Sequence, residues 1–240
     1  MKLTFLGTRA YIEARNERHY RHASMLVSYY GKSVMVDCGE DWRGKIESVA
    51  PQAIIITHAH PDHAWGLKDG TDRPVYATDA SWETMESLGL EDPHVIEPRE
   101  PVGIAGITFE AFPVRHSTRA PAVGYRITAG RVAIFYIPDV AWIDDRSGAL
   151  NGARVYVGDG SSVTRSMVRK PGDEIIGHVP IQTQLTWCQK EGVPRAIFTH
   201  CGSDIVEGDE EPRAAEIDEM AAERGVEARI AHDGLEVVLR

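Results

Sequence analysis

Residues 54 to 63 read Ile54-Ile55-Ile56-Thr57-His58-Ala59-His60-Pro61-Asp62-His63. Three consecutive isoleucines mark a buried strand, so the residues after Thr57 lie in a loop at that strand's C-terminal end. In an extended segment His58 and His60, two apart, project to one side, while Pro61 forces a turn that swings Asp62 and His63 toward a second point. Four ligand-type side chains within six positions therefore converge on two neighbouring divalent cations. Imidazole and carboxylate, with no Cys in the run, suit Zn²⁺ first and Mn²⁺ or Fe²⁺ as alternatives.

Outward from this run the apolar segments are short and rich in Val, Ile, Phe and Tyr. They cover residues 2–6, 25–29, 33–36, 53–57, 107–114, 122–128, 131–137, 153–157, 195–199 and 235–239. Gly, Pro and Asp bound most of them, as expected of extensive sheet. Helical patterns lie at Asp79 to Leu88, with Asp79 or Ser81 as cap, at Ile181 to Lys190 after Pro180, and at Pro212 to Arg224. The fold class is therefore α/β. Residues 25–39 and 123–140 each read strand, Gly turn, strand, then Asp, at Asp37 and Asp139, and AIIITHAH at 53–60 is echoed by AIFTHCG at 196–202. Two such halves would pack sheet against sheet with helices outside, although short hairpins also resemble one another by chance. The charged run Asp204 to Glu211 reads as a solvated loop leading into a helix.

The 240 residues carry 26 Lys and Arg against 36 Asp and Glu, a net charge of −10, and 42% are hydrophobic, enough for a substantial core. An acidic chain does not hold extended nucleic acid on a broad basic surface, though a local basic pocket is compatible with it. Cys38, Cys188 and Cys201 are odd in number and lack C-x-x-C spacing, so a reducing compartment fits best. With no signal-like start and no apolar run of about 20 residues, the expectation is a cytoplasmic protein without a membrane partner.

The run His58, His60, Asp62, His63 matches the H-x-H-x-D-H signature of the metallo-β-lactamase superfamily, which the sequence resembles over nearly its whole length. LTFLGT near the start, VMVDCG, His116, Asp139, THCG at 199–202 and AHDG at 231–234 follow in the family's order. Within the superfamily the closest likeness is to the branch of ribonuclease Z and the cyclic-phosphate phosphodiesterases. The resemblance implies an αββα sandwich of two mixed sheets with helices on the outer faces, formed by residues 1–240 as a single domain. It also implies a dinuclear site along one sheet edge: His58, His60 and His116 on one metal, Asp62, His63 and a later His on the other, and Asp139 bridging. His200 and His232 both follow apparent strands. AHDG resembles the branch's ligand motif, so His232 is expected as the ligand and His200 as a catalytic proton donor, with the reverse assignment open. Homodimers, common on this fold, are carried over by analogy.

The remaining candidates carry less weight. Arg21 and His22 match a loop near the site in that branch, Arg115 and His178 are further substrate-binding candidates, and Arg9 and Arg119 are cations that could meet a phosphate. Asp37 and Asp159 are expected to orient ligands from behind. Cys201 should point away from the site and stay inert. His19 and His94 are expected at the surface.

Two cations in such a site share a hydroxide formed near neutral pH, with Asp62 orienting the water and His200 protonating the leaving oxygen. Only 23 positions separate His116 from Asp139, so the long transfer-RNA arm of ribonuclease Z is absent. The expectation is a metal-dependent hydrolase, a phosphodiesterase acting on a small phosphodiester: a cyclic nucleotide, a cyclic ribose phosphate or a short oligonucleotide. The alternatives are hydrolysis of a lactone, thioester or β-lactam on the same site, and a non-catalytic metal-stabilised binding subunit.

Overall fold

The computed structural model describes residues 1–90 and 92–240. Its first sheet is built from β1 (Lys2–Gly7), β2 (Ser24–Tyr29), β3 (Lys32–Val36), β4 (Ala53–Ile55), β5 (Val75–Ala77) and β6 (Pro93–Val95). The second is built from β7 (Val102–Ile104), β8 (Ile107–Arg115), β9 (Ala122–Ala129), β10 (Val132–Tyr136), β11 (Trp142–Ile143), β12 (Val155–Asp159), β13 (Arg195–Thr199) and β14 (Glu227–Ile230). The last strand, β15 (Glu236–Val238), returns to pair with β1 at the edge of the first sheet.

The strand orders are β15-β1-β2-β3-β4-β5-β6 and β11-β8-β9-β10-β12-β13-β14, with β7 on β8. From β1 to β3 and from β8 to β10 neighbours run antiparallel, whereas from β3 to β6 and from β10 to β14 they run parallel. The two halves therefore share one topology, and the hairpins β2–β3 and β9–β10 are equivalent. That equivalence pairs β4 with β12 and β5 with β13, so the echo between residues 53–60 and 196–202 is displaced by one strand.

Alternation explains the layers. In β1 every second residue is buried, and the inner faces of both sheets meet in a shared core that includes Phe5, Val27, Val36, Phe109, Tyr125, Ile134 and Ile197. The outer face of the second sheet is covered by α4 (Arg146–Leu150), α5 (Ile181–Glu191), α6 (Ser203–Val206) and α7 (Glu210–Ala222), through residues such as Leu150, Leu185, Cys188, Ile205 and Ile217. The first sheet's outer face packs with α1 (Ile46–Val49), α2 (Pro61–Ala64) and α3 (Asp79–Met85) around Ile54, Leu67 and Met85. The result is the αββα sandwich. Among the described residues no helix is long and apolar enough to cross a membrane.

Helix ends depart from expectation for local reasons. Thr78, rather than Asp79 or Ser81, caps α3 by accepting from Ser81 N–H. α7 starts at Glu210, two residues before Pro212, because Asp209 caps it and a proline within the first turn removes no intrahelical bond. The short strands β5, β6, β7 and β11 went unread; runs of two or three residues are defined by their neighbours and not by their own pattern.

Candidate metal centre

Parallel strands place their C-terminal ends along one edge, and there the sheets are joined by Val123 N–H donating to Thr57 O (3.1 Å) and Tyr125 OH donating to Ile56 O (2.8 Å). The loops beyond β3, β4, β8, β10 and β13 deliver Asp37, His58 to His63, His116, Asp139 and His200 to this edge, and Asp159 ends β12 there.

His58, His60 and His116 form one donor group: His60 Nδ1 lies 3.0 Å from His58 Nε2 and 3.2 Å from His116 Nε2. Asp62, His63, Asp139 and His200 form a second. His200 Nε2 is 3.1 Å from Asp62 Oδ2, and His63 Nε2 is 3.2 Å from that oxygen and 2.7 Å from Asp139 Oδ2. Asp139 sits between the groups, since its Oδ2 is also 3.3 Å from His58 Nε2.

These side chains are held from behind. Buried Asp37 accepts from Thr57 N–H and Oγ1–H at 2.8 and 2.9 Å and pairs with His63 Nδ1 at 2.9 Å, which turns His63 Nε2 to the centre. Asp37 and His200 both take left-handed backbone, with φ of 62° and 53°, a conformation that for a histidine is kept only where surrounding contacts demand it. Gly39 lets this loop lie against the ligand loop, because a Cβ there would come within 1.9 Å of Asp62 O.

The electrostatics fit a cation. Burial keeps His58 and His60 below the ordinary imidazole range and His116 at about 4, so all three are neutral donors. Burial opposes charge on Asp62 and Asp139, yet the neighbouring imidazoles outweigh it and hold both carboxylates ionised. Burial likewise opposes charge on His63 and His200, but the surrounding carboxylates raise both, His200 to about 10. Buried His63 Nε2 and Asp139 Oδ1 make no aligned hydrogen bond. Orphaned donor atoms, three neutral imidazoles and two ionised carboxylates converging within a few ångströms are what divalent cations require.

His200, not His232, is brought to the second group. His200 follows β13, which lies inside its sheet beside β12. His232 follows the edge strand β14, and its Nδ1 pairs locally with Asp233 O (3.0 Å). Of the two arrangements left open by the sequence, the geometry therefore matches the one with His200 at the second group.

Of the substrate candidates, His178 lines the cleft at the centre, whereas Arg21, His22 and Arg115 do not. The Arg21 guanidinium packs 5.0 Å over the Trp42 ring. His22 is buried between Arg9 and Asp41, and Arg9 is itself buried, donating to Tyr20 O, Ile12 O and Asp41, so it braces the loop and meets no substrate. Arg115 is taken up by Asp144 at 2.8 Å. His19, expected at the surface, is buried against Thr8. The thiol of Cys201 is buried and pushed up by that burial.

Asp159 anchors His178: its Oδ2 is 2.8 Å from His178 Nδ1, its Oδ1 accepts from Ser161 N–H, and the buried Gln184 holds its backbone on both sides. Burial opposes charge on His178 but Asp159 raises its pKa on balance. Ser161 and Gln184 went unread. Ser161 lies 3.0 Å from His200 Nδ1, and its only sequence signal is the fragment GDGSS; Gln184 sits in a helix with no signal of its own.

Residues 32–201 match the model of the beta-lactamase superfamily domain. The chain belongs to this family. The match takes in His200 and ends before His232. Among curated relatives, the exodeoxyribonuclease WalJ of Streptococcus pneumoniae is 30% identical over 147 residues, 52% of this chain and 53% of that protein. Ribonuclease Z of Methanopyrus kandleri is 28% identical over 179 residues, 64% of this chain and 61% of that protein. The chain spans about half the length of the curated relatives it matches. The metallo-beta-lactamase fold protein YhfI of Bacillus subtilis superposes with a TM-score of 0.76 at 19% identity over 98% of both chains, which shows the fold. The superfamily is one of metal-dependent hydrolases.

Proposed function

We propose that this protein is a dinuclear metal-dependent phosphodiesterase acting on a small phosphodiester. The observation that carries the reading is Asp139, whose carboxylate faces both donor groups. His58, His60 and His116 would hold one cation, Asp62, His63 and His200 the other, and Asp139 would be shared. The mixed nitrogen and oxygen set suits zinc first, with manganese or iron as alternatives. Bound there, two cations supply an activated water near neutral pH and stabilise charge that builds on a phosphate oxygen.

The chain's own residues do the rest. Asp62 lines the cleft and orients the attacking water. His178 lines the same cleft, and with Nδ1 committed to Asp159 its Nε2 is the nitrogen free to protonate the leaving oxygen as the P–O bond breaks. The proton-donor role assigned from sequence to His200 thus passes to His178, because His200 is enclosed between Asp62 and Asp139. The names of the two curated relatives, an exodeoxyribonuclease and a ribonuclease, support phosphodiester chemistry over attack on a lactone, thioester or β-lactam. The pairing of β1 with β15 supports reading residues 1–240 as one domain.

The test is a parallel assay of the metal-loaded protein on bis-p-nitrophenyl phosphate, 3′,5′-cyclic nucleotides, lactones and nitrocefin. Turnover of the phosphodiesters alone is expected; turnover confined to lactones or nitrocefin would replace this reading with the carboxyl-hydrolase one.

A further inference from the structure

A second cleft of about 930 Å³ adjoins the reaction centre and shares a wall with it, made by His60, His116, His178, Arg165 and Met167. Its charged lining is Arg119, Arg165 and Arg169, and no carboxylate contributes to it. In a chain where acids outnumber bases 36 to 26, a groove whose charged side chains are all arginines departs sharply from the average surface. Several arginines elsewhere are paired with carboxylates: Arg43 with Asp69, Arg73 with Glu47 and Arg115 with Asp144. Among the described residues Arg119, Arg165 and Arg169 have no carboxylate within 4.0 Å.

The groove is also built, because the segment carrying Arg165 and Arg169 is laced to the site. Met167 N–H donates to His178 O at 3.0 Å, Arg169 and Ile176 exchange two backbone bonds, and Gly177 N–H donates to His116 O at 2.8 Å. Gly177 has φ +98°, and a Cβ there would stand 2.3 Å from Met167 O, so the ladder closes only with glycine. Backbone bonds to two site histidines thus fix where these arginines stand relative to the centre.

We propose that this groove is a second anion subsite, in which Arg119, Arg165 and Arg169 hold a further phosphate of a linear substrate such as a short single-stranded oligonucleotide. The inference rests on the phosphodiesterase reading and narrows it. A 3′,5′-cyclic mononucleotide has its one phosphate at the reaction centre and offers these arginines nothing. A linear substrate carries a second phosphate past His116 and His178, where guanidinium forks match phosphate oxygens.

Binding separates this inference from the catalytic one. Calorimetry of the metal-loaded protein with thymidine 3′,5′-bisphosphate and with thymidine 5′-monophosphate should show the bisphosphate binding about tenfold tighter at low salt, with the gap narrowing as salt rises. In the Arg165→Gln/Arg169→Gln protein, checked by circular dichroism, the ratio should fall toward one, and Arg165→Lys should keep part of it. In turnover, pTpT or TpTp should exceed TpT in kcat/KM by a similar factor in the wild type only. Equal affinity for the two nucleotides, or a preference that survives the double substitution, overturns the subsite. A bisphosphate preference with no hydrolysis of any phosphodiester overturns the phosphodiesterase reading and leaves the subsite standing.

Discussion

His200 lies between two carboxylates, its Nε2 3.1 Å from Asp62 and its Nδ1 3.0 Å from Asp139. His232, with its own local bond, stands apart from both. His200→Ala should therefore lower metal content by about one ion per chain, while His232→Ala should leave it unchanged. Elemental analysis of the two purified variants decides the matter, and the opposite pattern would restore His232 as the ligand.

That distinction marks where legibility stopped. The group His58, His60, Asp62 and His63 is contiguous and follows one strong strand, so its convergence follows from spacing alone. Both FTHCG and AHDG also follow strands, and they differ only in whether that strand is inside the sheet or at its edge. That is a property of long-range pairing, which no local pattern records. Asp37 and Asp159 were readable because each ends a hairpin or a strand beside the site. Arg9, which by sequence is only a cation that could meet a phosphate, is buried through Asp41 and His22, brought to it by the fold.

The His178 and Asp159 pair makes a prediction about leaving groups. A residue that protonates the leaving oxygen matters most when that oxygen is strongly basic, and general acids contribute about 10²- to 10⁴-fold. His178→Ala should lower kcat by about 10²-fold or more on an alkyl ester such as a dinucleotide. It should cost far less on bis-p-nitrophenyl phosphate, whose leaving group needs no proton. Asp159→Asn should show the same asymmetry, more weakly. Equal losses on both substrates would assign His178 to binding instead.

Asp37 supports the centre without facing it. Asp37→Ala removes the acceptor for Thr57 and the partner of His63 at once, leaving buried polar groups unsatisfied. Stability of the metal-free protein should fall by about 3 kcal/mol, and metal affinity by about 10- to 100-fold. Urea unfolding and a competitive chelator titration measure the two effects, and an unchanged affinity would remove Asp37 from the account of the site.

His19 sets a pH dependence on folding. Its Nδ1 is 2.8 Å from Thr8 Oγ1, and burial lowers its pKa to about 4, with Glu210 opposing. The unfolded chain, near 6.5, takes up a proton that the folded chain refuses, so stability falls as pH drops from about 6.5 to about 4 and levels off below. Between pH 7 and pH 5 the wild type should lose about 2 kcal/mol more than His19→Gln in chemical denaturation. Parallel losses in the two proteins would contradict this role.

The most direct test of the central claim is a metal titration of the chelator-stripped protein, following bound zinc and bis-p-nitrophenyl phosphate hydrolysis together. The shared position of Asp139 predicts two ions bound per chain, with turnover rising mainly over the second equivalent and abolished by Asp139→Ala. Saturation at one ion with full turnover, or hydrolysis that survives chelation, would contradict it.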